Sequence, residues 1–337
     1  MTAQLKAAFE GVQFKLGSDW KNSATGVKKT MRILILGAGA TGGYFGARLI
    51  ESGADVTFLV RERRAAQLKR DGLVLSSPHG DIRTHAKAIV SADPSDSYEV
   101  VMLACKAYDL GAAVEAVAPA VGADSLVLPL LNGLAHYRAL DKHFGESRVL
   151  GGLCHLAVTL TPSGEIQHLN RLHSITFGER RGGRSKRCDA LHGMMTPIKA
   201  EVHYSENVLL DAWDKWVMLA TLAGMTCLMR GSVGDIISTS EGQALTEAML
   251  AECAEVAARS GYAIPSERLE QARALLTQQG SSFAASMLRD IERAGPTEGE
   301  HILGDMVERA GQLGVAVPLL RAARTHLQVY EARRPKT

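Results

Sequence analysis

Three glycines stand at GxGxxG spacing in Gly37-Ala38-Gly39-Ala40-Thr41-Gly42, directly after the apolar run Arg32-Ile33-Leu34-Ile35-Leu36. The chemistry such a turn can do is to hold a dinucleotide by its pyrophosphate. Gly37 allows the tight turn, Gly39 removes the side chain where a pyrophosphate must approach, and Gly42 lets the following helix pack close to the strand. That helix then offers free N–H groups and a partial positive charge to the phosphates. A glycine-rich turn with no ligand accounts for one of the three glycines but not for all of them. Gly37, Ala38, Gly39, Ala40, Thr41 and Gly42 are therefore candidate cofactor-binding residues.

The end of the next strand distinguishes the two nicotinamide cofactors. A binder of NAD tends to place Asp or Glu there, against the ribose 2′-hydroxyl. Here Leu59-Val60 runs into Arg61-Glu62-Arg63-Arg64. A guanidinium at Arg61 matches a 2′-phosphate in charge and fork geometry, so the expected cofactor is NADPH; Arg63 and Arg64 also fit a solvated charged turn. Two further polar positions follow strand-like runs, where ligands of such sheets sit. Lys106 lies in Cys105-Lys106-Ala107-Tyr108, and Asn132 precedes Gly133. Each fits a simple turn, and as a pair they fit ligand contact.

These residues need a scaffold of alternating strands and helices. Strand-like runs at 32–36, 55–60, 99–104 and 125–130 are continuously apolar rather than alternating, as in strands buried on both faces of a parallel sheet. A helical pattern at 41–52 ends at Gly53, which completes a strand–helix–strand unit. Alternating stretches near 152–160 and 172–178 flank Thr161-Pro162-Ser163-Gly164, a hairpin signal. From about 206 onward helical runs at 206–229, 241–260, 266–279, 298–313 and 317–332 are broken at glycines and at Pro296. The expected fold is α/β, an N-terminal Rossmann-type doubly wound parallel sheet (31–200) followed by an all-helical domain (201–337), with 1–30 as an N-terminal extension.

Composition narrows the function. The chain has 337 residues, 46% hydrophobic and 22% charged, ordinary values for a globular protein with a sizeable core. Lys plus Arg is 38 and Asp plus Glu is 36, a net charge of +2 that argues against a nucleic-acid binder. The basic loop from Gly178 to Arg187 has no interleaved aromatics and reads as a solvated loop rather than a phosphate patch. The apolar stretch Val217 to Met229 is too short to span a bilayer, and no secretory signal is visible, so a cytoplasmic protein is expected. The 5 cysteines include no CxxC pair and read as buried thiols. The 11 histidines form no HxxxH or HExxH, and no metal site is expected; His155 and His301 read as spectators near a cleft.

At this point the chain resembles the ketopantoate reductases (2-dehydropantoate 2-reductases). The matching pieces are Ile33 to Gly46, Leu59-Val60-Arg61, Ala104-Cys105-Lys106-Ala107, Leu128 to Gly133, Trp213-Asp214-Lys215-Trp216, Ser286-Met287-Leu288-Arg289-Asp290, and Thr297-Glu298 followed by Gly304. Together they cover nearly the whole chain from Met31. The resemblance implies an NADPH-dependent reduction of a 2-keto acid to a 2-hydroxy acid. It gives Lys215 as the general acid and Glu298 as the glutamate beside the reacting oxygen or its proton donor. It also gives Ser286 as a substrate-carboxylate contact, Lys106 and Asn132 as residues near the nicotinamide ribose and substrate, and Arg61 as the 2′-phosphate ligand. On their own, Lys215 equally fits a surface lysine lying along an apolar helix, and Glu298 fits capping chemistry at a helix start.

The chain departs from the family one and two helical turns after Lys215. Asparagines that help hold the substrate usually stand there; here the residues are Leu219 and Ala223. Positions four and eight apart share a helix face, so the pocket wall loses two polar groups and a substrate less polar than ketopantoate is expected. The alternatives are a sibling NAD(P)-dependent hydroxy-acid or opine-type dehydrogenase and a non-catalytic NADPH-binding sensor. A homodimer through the helical half is also plausible from the resemblance.

Overall fold

The computed structural model describes residues 31–335; the extension expected at 1–30 lies outside the described residues. The chain opens with β1 (Arg32–Leu36), α1 (Ala40–Glu51), β2 (Asp55–Leu59) and α2 (Glu62–Asp71). Next come β3 (Leu73–Ser76), β4 (Ile82–Thr84), β5 (Lys87–Ile89) and β6 (Val100–Leu103). A 3₁₀ turn (Ala107–Asp109), α3 (Leu110–Val117) and β7 (Leu126–Pro129) complete the first sheet. Its order is β5-β2-β1-β6-β7, with every pair parallel. The chain enters at the centre and builds outward in both directions, so the strand order reverses between β1 and β6. A crevice opens there outside the carboxyl ends of the strands, the place where such sheets bind ligands. The apolar runs are central strands: Ile33, Leu34, Ile35, Val100, Val101 and Leu103 are fully buried.

A second sheet follows. After α4 (His136–Phe144), β8 (Gly151–Leu160) and β9 (Ile166–Gly178) form the long antiparallel hairpin. α5 (Lys186–Met195) leads to β10 (Glu201–Tyr204), which pairs with β9 in parallel. β3 also joins β9, so the hairpin is attached to the segment that follows α2. The basic loop is neutralised from within the domain: Arg180 pairs with Asp141, Arg181 with Glu146, Arg184 with Asp189 and Arg187 with Glu179.

The rest is helical: α6 (Val208–Met229), α7 (Val233–Ile237), α8 (Gly242–Arg259), α9 (Ser266–Leu276) and α10 (Ser286–Glu292), then a π turn (Glu300–Gly304), α11 (Asp305–Leu313) and α12 (Pro318–Arg333). α6 is the core of this half, and Trp213, Trp216 and Ala220 on one side of it are buried. Burying such a large side chain contributes about 2–3 kcal/mol. α6 also carries Asp211, Asp214 and Lys215, and among the described residues no helix is long and apolar enough to cross a membrane. The single helix expected over 298–313 is instead a π turn running into α11. Its physical reason lies in the wide turn itself: a π turn offsets the carbonyl ladder, and the Ile302 carbonyl accepts a hydrogen bond from the Trp216 indole N–H at 3.1 Å.

Candidate active site

The glycine turn occupies the mouth of the crevice. Gly37 has φ +92°, a left-handed conformation that side chains rarely adopt. A Cβ at Gly42 would run into the Gly37 carbonyl oxygen and stand 3.0 Å from the Ala104 Cβ and 3.2 Å from an Ile35 methyl, so that glycine lets α1 pack on the turn, β1 and β6. Gly39 differs, because a Cβ there would meet nothing within 4 Å. The protein thus leaves the space beside Gly39 on the glycine turn unfilled. Ala38, Ala40 and Thr41 belong to the same turn and the first residues of α1.

Arg61 follows β2 directly, is 82% exposed, and donates to the Asp109 carboxylate at 2.8 Å. Arg64 is not the solvated residue that its place in a charge run suggests. It is half-buried, and its Nε donates to the Ala38 carbonyl and its Nη1 to the Gly164 carbonyl, each at 2.9 Å. One helical turn after Arg61, α2 places it inward, where it ties the glycine turn to the β8–β9 hairpin.

The other expected residues meet across the cleft between the two halves. Lys215 Nζ donates to Asn132 Oδ1 at 3.0 Å and to the Cys154 carbonyl at 2.7 Å. An ammonium has three N–H donors, and these two bonds leave a third. Burial lowers the Lys215 pKa from the usual lysine value, and the neighbouring Cys154 and Glu298 counter this only in part. On the other side of the site, Glu298 is 7% exposed. One of its oxygens accepts the Ala107 N–H at 3.0 Å and the other accepts Lys106 Nζ at 3.1 Å. Lys106 also binds Asp290 at 3.1 Å. Burial opposes the Lys106 charge, but Glu298 and Asp290 outweigh it and raise its pKa. The Rossmann and helical halves are thus joined by one cation and two carboxylates.

Trp216, next to Lys215, reaches the turn that follows Glu298, so the lysine helix and the glutamate segment are fixed to each other. A second strut acts from α12: Glu331 accepts the Thr297 N–H at 2.7 Å and its hydroxyl at 2.8 Å. Between the turn after β6, the Glu298 segment and α12 lies a cavity of about 610 Å³, lined among others by Ala107, Tyr108, Glu298, His301 and Glu331; Lys215 and Asn132 do not line it. His301 lines this cavity and stacks on the buried His136. His155 adjoins Cys154, and burial pushes its pKa down to about 4.

Ser286 opens α10, whose Asp290 reaches Lys106. Leu219 is half-buried against the core and Ala223 is 1% exposed within it, so the helix face above Lys215 is apolar. Of the 5 cysteines, Cys154, Cys188, Cys227 and Cys253 are buried free thiols and Cys105 is half-buried, with a pKa pushed up to about 11 by burial. Asp109 and Asp290 were not singled out from the sequence. Only Asp290 carried a signal, as the last residue of the matched Ser286–Asp290 run.

Comparison with known proteins places this geometry. The family model "Ketopantoate reductase PanE/ApbA" matches residues 33–182, and its C-terminal companion matches 207–331. An uncharacterized oxidoreductase of Bacillus subtilis, YkpB, is 38% identical over 302 residues, covering 90% of this chain and 99% of that protein. The crystal structure of 2-dehydropantoate 2-reductase from Geobacter metallireducens superposes with a TM-score of 0.81 at 27% identity, covering 89% of this chain and 99% of that one. A D-mandelate dehydrogenase in ternary complex with NADH and anilino(oxo)acetate shares the fold, with a TM-score of 0.80 at 21% identity over 90% of this chain and 98% of that one. The parallel sheet with its glycine turn, the helical half that carries the lysine, and both family matches agree: the chain belongs to the ketopantoate reductase family of oxidoreductases.

Proposed function

We propose that the protein is an NADPH-dependent reductase that converts a 2-keto acid with a side chain less polar than that of ketopantoate into the 2-hydroxy acid. The observation that carries this reading is the Lys215 ammonium, half-buried in the cleft with two N–H groups engaged at 3.0 and 2.7 Å and one left for a substrate oxygen. The open space at Gly39 and the positive φ of Gly37 fit a pyrophosphate, with Arg61 as the 2′-phosphate ligand and Lys106 and Asn132 beside the ribose. When bound, the reduced nicotinamide supplies the hydride for the keto carbon.

The chain's own residues do the rest. Negative charge grows on the keto oxygen during reduction, and the nearby Lys215 ammonium stabilises it and gives it the proton. Asn132 and the Cys154 carbonyl fix the ammonium in place and, being acceptors, favour its charged form. Glu298, held by Lys106 and Ala107, keeps negative charge near Lys215 and supports its reprotonation. Ser286 contacts the substrate carboxylate, and Leu219 forms the apolar wall with Ala223 packed behind it in the core. That wall would leave the hydroxyls of a polar side chain unpaired, which costs about 1–3 kcal/mol for each such group.

The test is steady-state NADPH oxidation against a panel running from ketopantoate to branched and aromatic 2-keto acids. An apolar member should have the highest kcat/KM; ketopantoate ahead by orders of magnitude overturns the substrate assignment. The sibling hydroxy-acid dehydrogenase reading draws support from the same apolar wall and from the aromatic oxo acid named with the D-mandelate dehydrogenase neighbour. The same reading takes the protein to be cytoplasmic and homodimeric; light scattering tests the dimer.

A further inference from the structure

The arginine that reads the cofactor's 2′ position has a competitor built beside it. Arg61 leaves the carboxyl end of β2, and Asp109 ends the 3₁₀ turn that follows β6. β2 and β6 flank β1 on opposite sides, so the two side chains reach toward each other over the glycine turn and meet at 2.8 Å. Packing does not require the contact: Arg61 is 82% exposed and Asp109 is 39% exposed. Helix capping does not require it either, since the Asp109 side chain makes no cap hydrogen bond although it stands at the N-cap of α3.

We propose that Asp109 is a specificity-determining residue that lowers the preference for NADPH over NADH. A 2′-phosphate brings about −1.5 to −2 charges to a guanidinium that already holds a carboxylate. Binding must loosen the Arg61–Asp109 pair or place two anions around one cation. A 2′-hydroxyl faces no such cost, because it can donate to the Asp109 carboxylate while Arg61 stays paired. The pair therefore reads either cofactor, Arg61 taking the phosphate and Asp109 the hydroxyl. This inference rests on the assignment of Arg61 in the proposed function.

Titrating NADPH and NADH onto the full chain by fluorescence, with no substrate present, separates the two ideas. In Asp109→Ala and Asp109→Asn the Kd for NADPH should fall about three- to tenfold, the scale of one exposed ion pair plus carboxylate–phosphate repulsion in water. The Kd for NADH should stay level or rise. An NADPH-to-NADH ratio within about twofold of the unsubstituted protein in both variants overturns the proposal, as does weaker NADPH binding. Arg61→Ala is the control arm. If it weakens NADPH selectively while the Asp109 variants change nothing, only this inference fails; if it leaves the ratio unchanged, the Arg61 assignment fails with it.

Discussion

Replacing Lys215 by Met keeps the length and apolar stem of the side chain and deletes the ammonium. Two of its three N–H groups bind Asn132 and the Cys154 carbonyl, so the third carries the catalytic share. A hydrogen bond from a charged donor is worth about 1.5–3 kcal/mol, and each 1.36 kcal/mol is tenfold in rate, which gives about 10- to 150-fold for oxyanion stabilisation. Loss of a positioned general acid costs about 10²- to 10⁴-fold. One N–H does both jobs, so the two factors overlap and do not multiply. The expected drop in kcat is therefore about 10²- to 10⁴-fold, with the Kd for NADPH unchanged. Single-turnover stopped flow at saturating cofactor reads the chemical step, and a separate titration reads binding. Lys215→Arg retains the charge but not an acid able to release its proton, so it should stay within about tenfold of Lys215→Met. A Lys215→Met enzyme within tenfold of the unsubstituted rate would refute the assignment.

Acidity provides an independent check. Reduction uses protonated Lys215, whose pKa burial lowers from the usual 10.5; kcat should fall as pH rises through a value below that, while the reverse oxidation, which needs the neutral amine, should rise over the same range. A reduction limb at or above 10.5 would contradict the burial argument. The glycines separate fold from ligand: Gly39→Ala meets no protein atom within 4 Å and should keep the melting temperature while weakening NADPH and NADH alike. Gly42→Ala runs into the Gly37 carbonyl and crowds Ala104 and Ile35 and should lower the melting temperature by several degrees; equal melting temperatures of the two variants count against the division. Trp216→Phe leaves the Ile302 carbonyl without its indole partner. That costs about 1–3 kcal/mol, or about 1.5 °C per kcal/mol at roughly 2.1 cal/mol/K per residue in a chain of 337 residues, and kcat should drop as the Glu298 turn loosens. A melting temperature within about 1 °C of the original would show that the strut carries no energy.

Much of the scaffold was legible in the linear chain because its signals are local. β1, β2, β6 and β7 are runs of residues buried on both faces, and such runs need no partner to be recognised. The glycine turn, the hairpin around Pro162-Ser163-Gly164 and the break of α6 after Met229 likewise follow from the conformational limits of residues close in sequence. The short strands β3, β4, β5 and β10 and short helices such as α2, α3, α4 and α5 were not legible, since each is too short to carry a clear period; β3 and β5 are held by the distant β9 and β2.

The candidate site divides along the same line. Residue types at fixed spacing pointed to the glycine turn and Arg61 as candidate cofactor contacts, and resemblance supplied Lys215 and Glu298 as candidates, whose own surroundings in sequence are unremarkable. Only the folded chain brings Lys106 to Glu298 and Asp290 across more than 180 positions, sets Lys215 against Asn132 and a β8 carbonyl, turns Arg64 inward and pairs Arg61 with Asp109. Backbone preference and hydrophobic periodicity act over a few residues and are written locally. Charge pairing, desolvation and hydrogen bonding act through space, so their partners exist only once the two halves have closed on each other.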